Sequence, residues 1–140
     1  MNTTHIAKLK SQKLKLTPKR KAILDCFVAQ GKHLTPDDVW KVLKRKFKSL
    51  GLPSIYRNLE SFTECGLLAK IHREDRRLYY ALCQSHANSH HHHHHHHIVC
   101  IKCGKVDDVD GCMFEKMDKV SGYKVIKHTV QLEGLCPKCI

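Results

Sequence analysis

Apolar positions recur at helical spacing three times in the first half of the chain, then give way to alternation. Thr17-Pro18 is an N-cap followed by proline at the first helical position. Ala22, Ile23, Phe27 and Val28 follow at helical spacing, and Gly31 ends the run. Thr35-Pro36 repeats the start signal, with Asp37 and Asp38 in the first turn, where the helix dipole favours acids. Val39, Val42 and Leu43 form that helix's apolar stripe. A third start lies at Pro53-Ser54; Ile55, Leu59 and Phe62 face inward from it, and Cys65-Gly66 closes it. Leu67 to Arg73 and Arg76 to Leu82 then read as two strands joined at Glu74-Asp75. Three helices and a two-stranded wing make a winged helix-turn-helix, in which the third helix enters the major groove.

The second half has shorter periods. Val106 and Val109 end a strand, and Phe114, Met117 and Val120 mark a short helix. Tyr123 to Glu133 alternates, with Ile126, His128, Val130 and Leu132 on one face. Such a unit is too small to bury much surface alone, so a dimer sharing its sheet is expected. The fold class is α+β: a winged-helix domain over residues 1–84, a His-rich hinge over 85–97, and a small α/β dimerisation domain over 98–140.

Charge separates the halves further. Of 140 residues, 25 are Lys or Arg and 13 Asp or Glu. Residues 1–83 hold 18 of those bases and 7 of the acids, whereas 84–140 hold 7 and 6. A one-sided excess is the electrostatic footprint of a nucleic-acid-binding module. An anionic membrane surface is the weaker rival, since no long amphipathic helix with bulky apolar anchors is visible. No apolar run approaches the ~20 residues that span a bilayer, and the N-terminus lacks the apolar core of an export signal, so a cytoplasmic protein is expected. On the third helix, Ser54, Tyr56 and Arg57 begin the outward face. Arg bonds guanine bidentately or binds phosphate. Lys15 and the Lys19-Arg20-Lys21 cluster lie at the start of an earlier helix, placed for backbone or minor-groove contact.

Eight Cys and thirteen His change the picture again. With no export signal, the thiols read as metal ligands rather than disulfides. Cys100/Cys103 and Cys136/Cys139 are two CxxC pairs, and four thiolates complete a closed, structural zinc site. The alternative is a redox dithiol. Histidines fill positions 90–97. As low complexity such a run binds metals weakly, so a specific site needs ligands from elsewhere: His33, His72, Cys83, His86, Asp108, Glu115 and His128 are the candidates. His128 also reads as a core histidine. Cys83 also reads as a small buried hydrophobe. Cys26, Cys65 and Cys112 read as nothing more than that.

The segments LTPKRKAIL, HLTPDDVW, SIYRNLESFTECGLL, HHHIVCIKCGKV and GLCPKC together resemble the ferric uptake regulator superfamily of bacterial metal-responsive repressors, over nearly the whole chain. The resemblance implies a homodimer whose hinge metal swings two DNA-binding domains into the geometry of a palindromic operator on double-stranded DNA. The stretch IHREDRRLYYALC is similar to the zinc uptake regulator branch, where a His and a Cys flank the wing, here His72 and Cys83. Iron and peroxide sensors carry a carboxylate near Tyr80-Ala81-Leu82, where this chain has Ala81. The resemblance implies a regulatory site of His72, Cys83, His95 and His97, with Asp108 replacing or supplementing one of them. The histidine run blurs this register, and His93 or His94 could substitute. His96, Glu115 and His128 match a further site of some members, and His33 matches a ligand of the iron and peroxide sensors. Lys15, Tyr56 and Arg57 match DNA-contacting positions.

The expected function is a zinc-dependent repressor of metal-uptake genes, with structural zinc and a regulatory zinc ion. The alternatives are an iron- or peroxide-responsive regulator, with Fe2+ or Mn2+ in the regulatory site, and a zinc-storage or metal-delivery protein. A thiolate beside imidazoles suits zinc better than ferrous iron. No nucleophile–base pair and no open three-histidine site argues for an enzyme.

Overall fold

The computed structural model describes residues 3–83, 96–114 and 116–140. Four helices, α1 (Thr3–Ser11), α2 (Pro18–Gln30), α3 (Pro36–Leu43) and α4 (Leu52–Glu64), precede a hairpin of β1 (Leu68–His72) and β2 (Leu78–Leu82). The helix starts follow from their caps. The Thr17 hydroxyl accepts the Arg20 N–H, and Gly31, with φ of 58°, closes α2 in the left-handed conformation. At α3 the exchange is reciprocal: Thr35 Oγ1 accepts the Asp38 N–H at 3.2 Å, and Asp38 Oδ2 accepts the Thr35 N–H at 2.9 Å. Thr35→Ala is expected to lower stability by about 1 kcal/mol, measured by urea unfolding. Burial opposes ionisation of Asp38, yet the bonds from Thr35 outweigh it and hold the carboxyl below its ordinary value of 3.8. The cap's contribution is therefore complete above that value and is lost as pH falls through the lower folded-state one.

The helices and hairpin share one core. Ile23, Phe27, Ile55, Leu59 and Phe62 sit in it with Leu67, Leu68 and Tyr80, all 2% exposed or less. The Tyr80 hydroxyl donates to Glu60 at 2.6 Å, and Leu34 exchanges both backbone bonds with Tyr80, adding a one-residue strand to the wing. The α1 helix is not predicted by the apolar pattern of the sequence. Its Leu9 is 1% exposed, and Lys8 Nζ donates to the Gly66 carbonyl at 3.1 Å. Val28 and Val42, read as stripe positions, are exposed.

A second sheet runs in the order β4 (Val106–Val109), β3 (His96–Cys100), β7 (Gln131–Gly134), with β3 antiparallel to β4 and parallel to β7. Between them β5 (Lys119–Val120) and β6 (Tyr123–Lys124) pair across Ser121-Gly122. Both turn residues have positive φ, as a two-residue hairpin requires. This half of the chain departs from its sequence pattern in two places. Phe114, Met117 and Val120 do not mark a helix among the described residues: the Met117 N–H closes a single turn onto Phe114, and the chain enters β5 two residues later. The alternation from Tyr123 to Glu133 is not one strand either, because β6 stops at Lys124 and β7 starts at Gln131; Ile126 between them is exposed.

The wing packs on this sheet. Ile71 and Ala81 bury against Val99 and Val106, with Tyr79 beside them. The Gln131 amide accepts the His72 N–H at 2.9 Å and donates to the His72 carbonyl at 2.6 Å. Lys32 and Lys105 add a backbone bridge, and the His33 N–H reaches the Gly104 carbonyl.

Candidate metal centres

Parallel pairing of β3 with β7 sets Cys100 opposite Gly134, two residues before Cys136. The two CxxC turns therefore meet, although 32 residues separate them. The sulfurs of Cys100, Cys103, Cys136 and Cys139 all lie within 4.8 Å of one another, and Cys103 and Cys136 are 3.8 Å apart. Four thiolates around zinc at 2.3 Å would stand about 3.8 Å from each other. Backbone N–H groups, that of Cys136 first and at 3.4 Å, hold the Cys100 thiol down at about 6. Hydrogen bonding to Cys136 and burial push Cys139 up to about 12. Sulfurs this close cannot all carry charge without a cation between them, and zinc would supply it.

A second group forms where the wing meets β3. Cys83 is 4% exposed, and its sulfur lies 3.9 Å from His97 Nε2. His97 pairs with Asp108 across β3 and β4, and its Nδ1 is 3.4 Å from Asp108 Oδ1. Burial, and then the Asp108 carboxylate, push the Cys83 thiol up to about 12. Burial lowers His97, leaving a neutral imidazole with a lone pair for a metal.

Other residues expected at this site stand elsewhere. His72 pairs with Leu78, at the opposite end of the hairpin from the Leu68–Leu82 pair next to Cys83, so the structure does not bring His72 and Cys83 together. A strand's length of about 3.3 Å per residue lies between them. His33 stacks on Tyr79, ring centroids 4.4 Å apart, and its Nε2 is 3.0 Å from Arg73. A Cβ at Gly104 would come within 2.5 Å of that ring, so the close approach needs glycine. Burial and the Arg73 charge lower the His33 pKa. His86, His95 and Glu115 lie outside the described residues, as do His93 and His94.

His96, the neighbour of His97 on β3, joins His128 and Cys112: one ligand atom from each lies within 4.8 Å of the others. Cys112 is thus not the small buried hydrophobe that the sequence suggested. It is half-buried, with its sulfur 3.0 Å from His128 Nε2.

The DNA-facing candidates lie at the first turns of α4 and beside α2. Tyr56 and Arg57 are exposed, while their neighbour Ile55 is fully buried, which fixes the outward face of the helix. Ser54 is half-buried, and its carbonyl accepts the Asn58 amide. Arg20 has a structural task as well: its Nε donates to Asn58 Oδ1 at 3.1 Å and its Nη1 to the Lys15 carbonyl at 2.7 Å, tying α2 to α4. Lys15 itself is exposed.

A winged helix with a basic first half, joined to a thiolate-rich sheet, defines a metal-responsive, DNA-binding transcription regulator. The chain belongs to the ferric uptake regulator family, whose profile matches residues 11–133. It is 34% identical to a ferric uptake regulation protein of Neisseria meningitidis over 97% of this chain and 93% of that one. It is 30% identical to one of Staphylococcus aureus, over 99% and 98%. Among solved structures it resembles a ferric uptake regulator from Francisella tularensis with iron, at 27% identity and a TM-score of 0.56, covering 90% of this chain and 94% of that one. It shares its fold with a zinc uptake regulator complexed with zinc and DNA, at 22% identity and a TM-score of 0.70, covering 99% and 95%. Family members are transcription regulators, not enzymes. No helix among the described residues is long and apolar enough to cross a membrane.

Proposed function

We propose that this regulator is a zinc-responsive repressor whose sensed ion is held by Cys83 and His97, with Asp108 behind the His97 ring and His95 as the expected further ligand. The observation that carries the proposal is the meeting of wing and second sheet at Cys83 Sγ and His97 Nε2, 3.9 Å apart, while Asp108 Oδ1 stands 3.4 Å from the opposite ring nitrogen, Nδ1, where it orients the imidazole. A thiolate and an imidazole suit zinc better than ferrous iron. The site spans both parts of the chain, so an ion there would favour one relative orientation of the DNA-reading helix. We take residues 1–84 as the DNA-binding domain, 85–97 as the hinge and 98–140 as the dimerisation domain. Met113, Tyr123, Ile126 and Ile140 are each at least 78% exposed, apolar surface that a second copy of the chain would cover.

Iron sensing is the second reading, favoured by the names of the relatives at 34% identity. The discriminating experiment titrates zinc and ferrous iron, each against a chelator, into the full chain. Binding is followed by anisotropy on a duplex selected from a randomised pool. Zinc restoring DNA binding at lower free concentration than iron supports the proposal; the reverse order, or equal binding without metal, overturns it. On the same duplex Arg57→Ala is expected to cost about 1–3 kcal/mol at one base position, and Lys15→Ala a uniform loss with a shallower salt slope.

A further inference from the structure

We propose that Cys112 is a metal ligand, and that His96, Cys112 and His128 hold a second borderline-soft divalent cation, zinc by its chemistry, apart from the Cys83 site. The sequence resemblance offered His96 and His128 with a carboxylate partner; the thiolate comes from this chain's own structure. Its residues are distinct from Cys83, His97 and Asp108, so the inference does not rest on the zinc-sensing reading.

Three observations carry it. Sγ of Cys112 stands 3.0 Å from His128 Nε2, the His96 and His128 rings are 5.3 Å apart, and one donor from each of the three residues falls within 4.8 Å of the others. Tetrahedral zinc with sulfur at 2.3 Å and nitrogen at 2.0–2.1 Å sets such donors about 3.4–3.6 Å apart, so small side-chain shifts close the site. Second, the Phe114 N–H donates to Cys112 Sγ at 3.3 Å, the bond that Cys136 N–H gives Cys100 in the four-cysteine centre. The same N–H-to-sulfur bond thus fixes the direction of the sulfur in both clusters. Third, His96 and His97 are consecutive on β3, and consecutive side chains point to opposite faces of a sheet. One dipeptide therefore serves two centres without competition, His97 towards Cys83 and His96 towards Cys112.

The donor set decides the ion. Two imidazoles and a carboxylate accommodate iron or manganese; two imidazoles and a thiolate select zinc, or cobalt as its spectroscopic stand-in. The test uses the full chain carrying Cys83→Ser, with the four-cysteine centre already filled with zinc. Cobalt(II) added to this protein is expected to give a thiolate-to-cobalt charge-transfer band in the near ultraviolet. Adding Cys112→Ser should remove the band and weaken zinc binding, by chelator competition, at least by the about 10–100-fold that loss of an outer partner costs. Zinc should also protect Cys112 from alkylation, read by peptide mass, whereas His128→Gln should abolish that protection. No band before the Cys112 change, a band that survives it, or equal alkylation with and without zinc overturns the assignment. Unaltered zinc-dependent DNA binding in Cys83→Ser alone would sink the sensing proposal while leaving the Cys112 band in place.

Discussion

Cys136→Ser is expected to strip zinc from the four-cysteine centre and unfold the C-terminal sheet with it. That sheet has almost no core of its own. Val99 and Val106 are its buried aliphatic residues among those described, and both pack on the wing rather than on each other's sheet alone. What brings β3 to β7 is a four-residue parallel register and the two CxxC turns beyond it. Structural zinc in small domains contributes about 10–16 kcal/mol of apparent binding energy, as much as the whole stability of a typical domain. Metal analysis should show one equivalent of zinc lost per chain, and sedimentation should show loss of the dimer. Far-ultraviolet circular dichroism should retain the helical signal, because the core from Ile23 to Tyr80 does not touch the centre. A Cys136→Ser protein that keeps its zinc and stays dimeric would deny the centre its structural role.

Cys83→Ser is expected to abolish the zinc response of DNA binding, lowering affinity in zinc to that of the chelated protein. With its thiol pushed up to about 12, Cys83 is neutral until a cation displaces its proton. A serine hydroxyl at that buried position gives up no proton and leaves the ion without its thiolate. Moving a two-state equilibrium from 1:99 to 99:1 takes a preference of about 10⁴ between states, so a ligand lost from the ion removes most of the shift. Anisotropy with and without zinc measures it; a variant that still responds fully would place the sensed ion elsewhere.

How much of this was legible depended on how local the cause was. Thr17-Pro18 and Thr35-Pro36-Asp37-Asp38 announce their helices because caps act within four residues. The CxxC pairs announce themselves because each knuckle is local, and only their meeting needs the fold. The α1 helix was not legible: its stability comes from Leu9 entering a core made by distant residues, not from a start signal. His72 and Cys83 flank the wing in sequence, but antiparallel pairing carries them to opposite ends of it. Cys112 lies 16 residues from His128, and nothing local in either segment marks the encounter. Arg73, whose guanidinium occupies His33, escaped for the same reason.

The junction between wing and sheet has a small apolar centre, Ile71, Ala81, Val99 and Val106 with Tyr79 beside them, together with the Lys32–Lys105 bridge, the His33–Gly104 bond and the Gln131 amide laid along the His72 backbone like one extra rung. Fully burying an aliphatic side chain contributes about 1.5–3 kcal/mol, so the four aliphatics of the seam contribute about 6–12 kcal/mol, near the about 10–16 kcal/mol of a tightly held zinc ion. A wide, oily junction would have frozen the reading head in one posture and left the molecule deaf to its metal. A seam of this width can be made or broken by one cation, which gives the cell a dial rather than a lock.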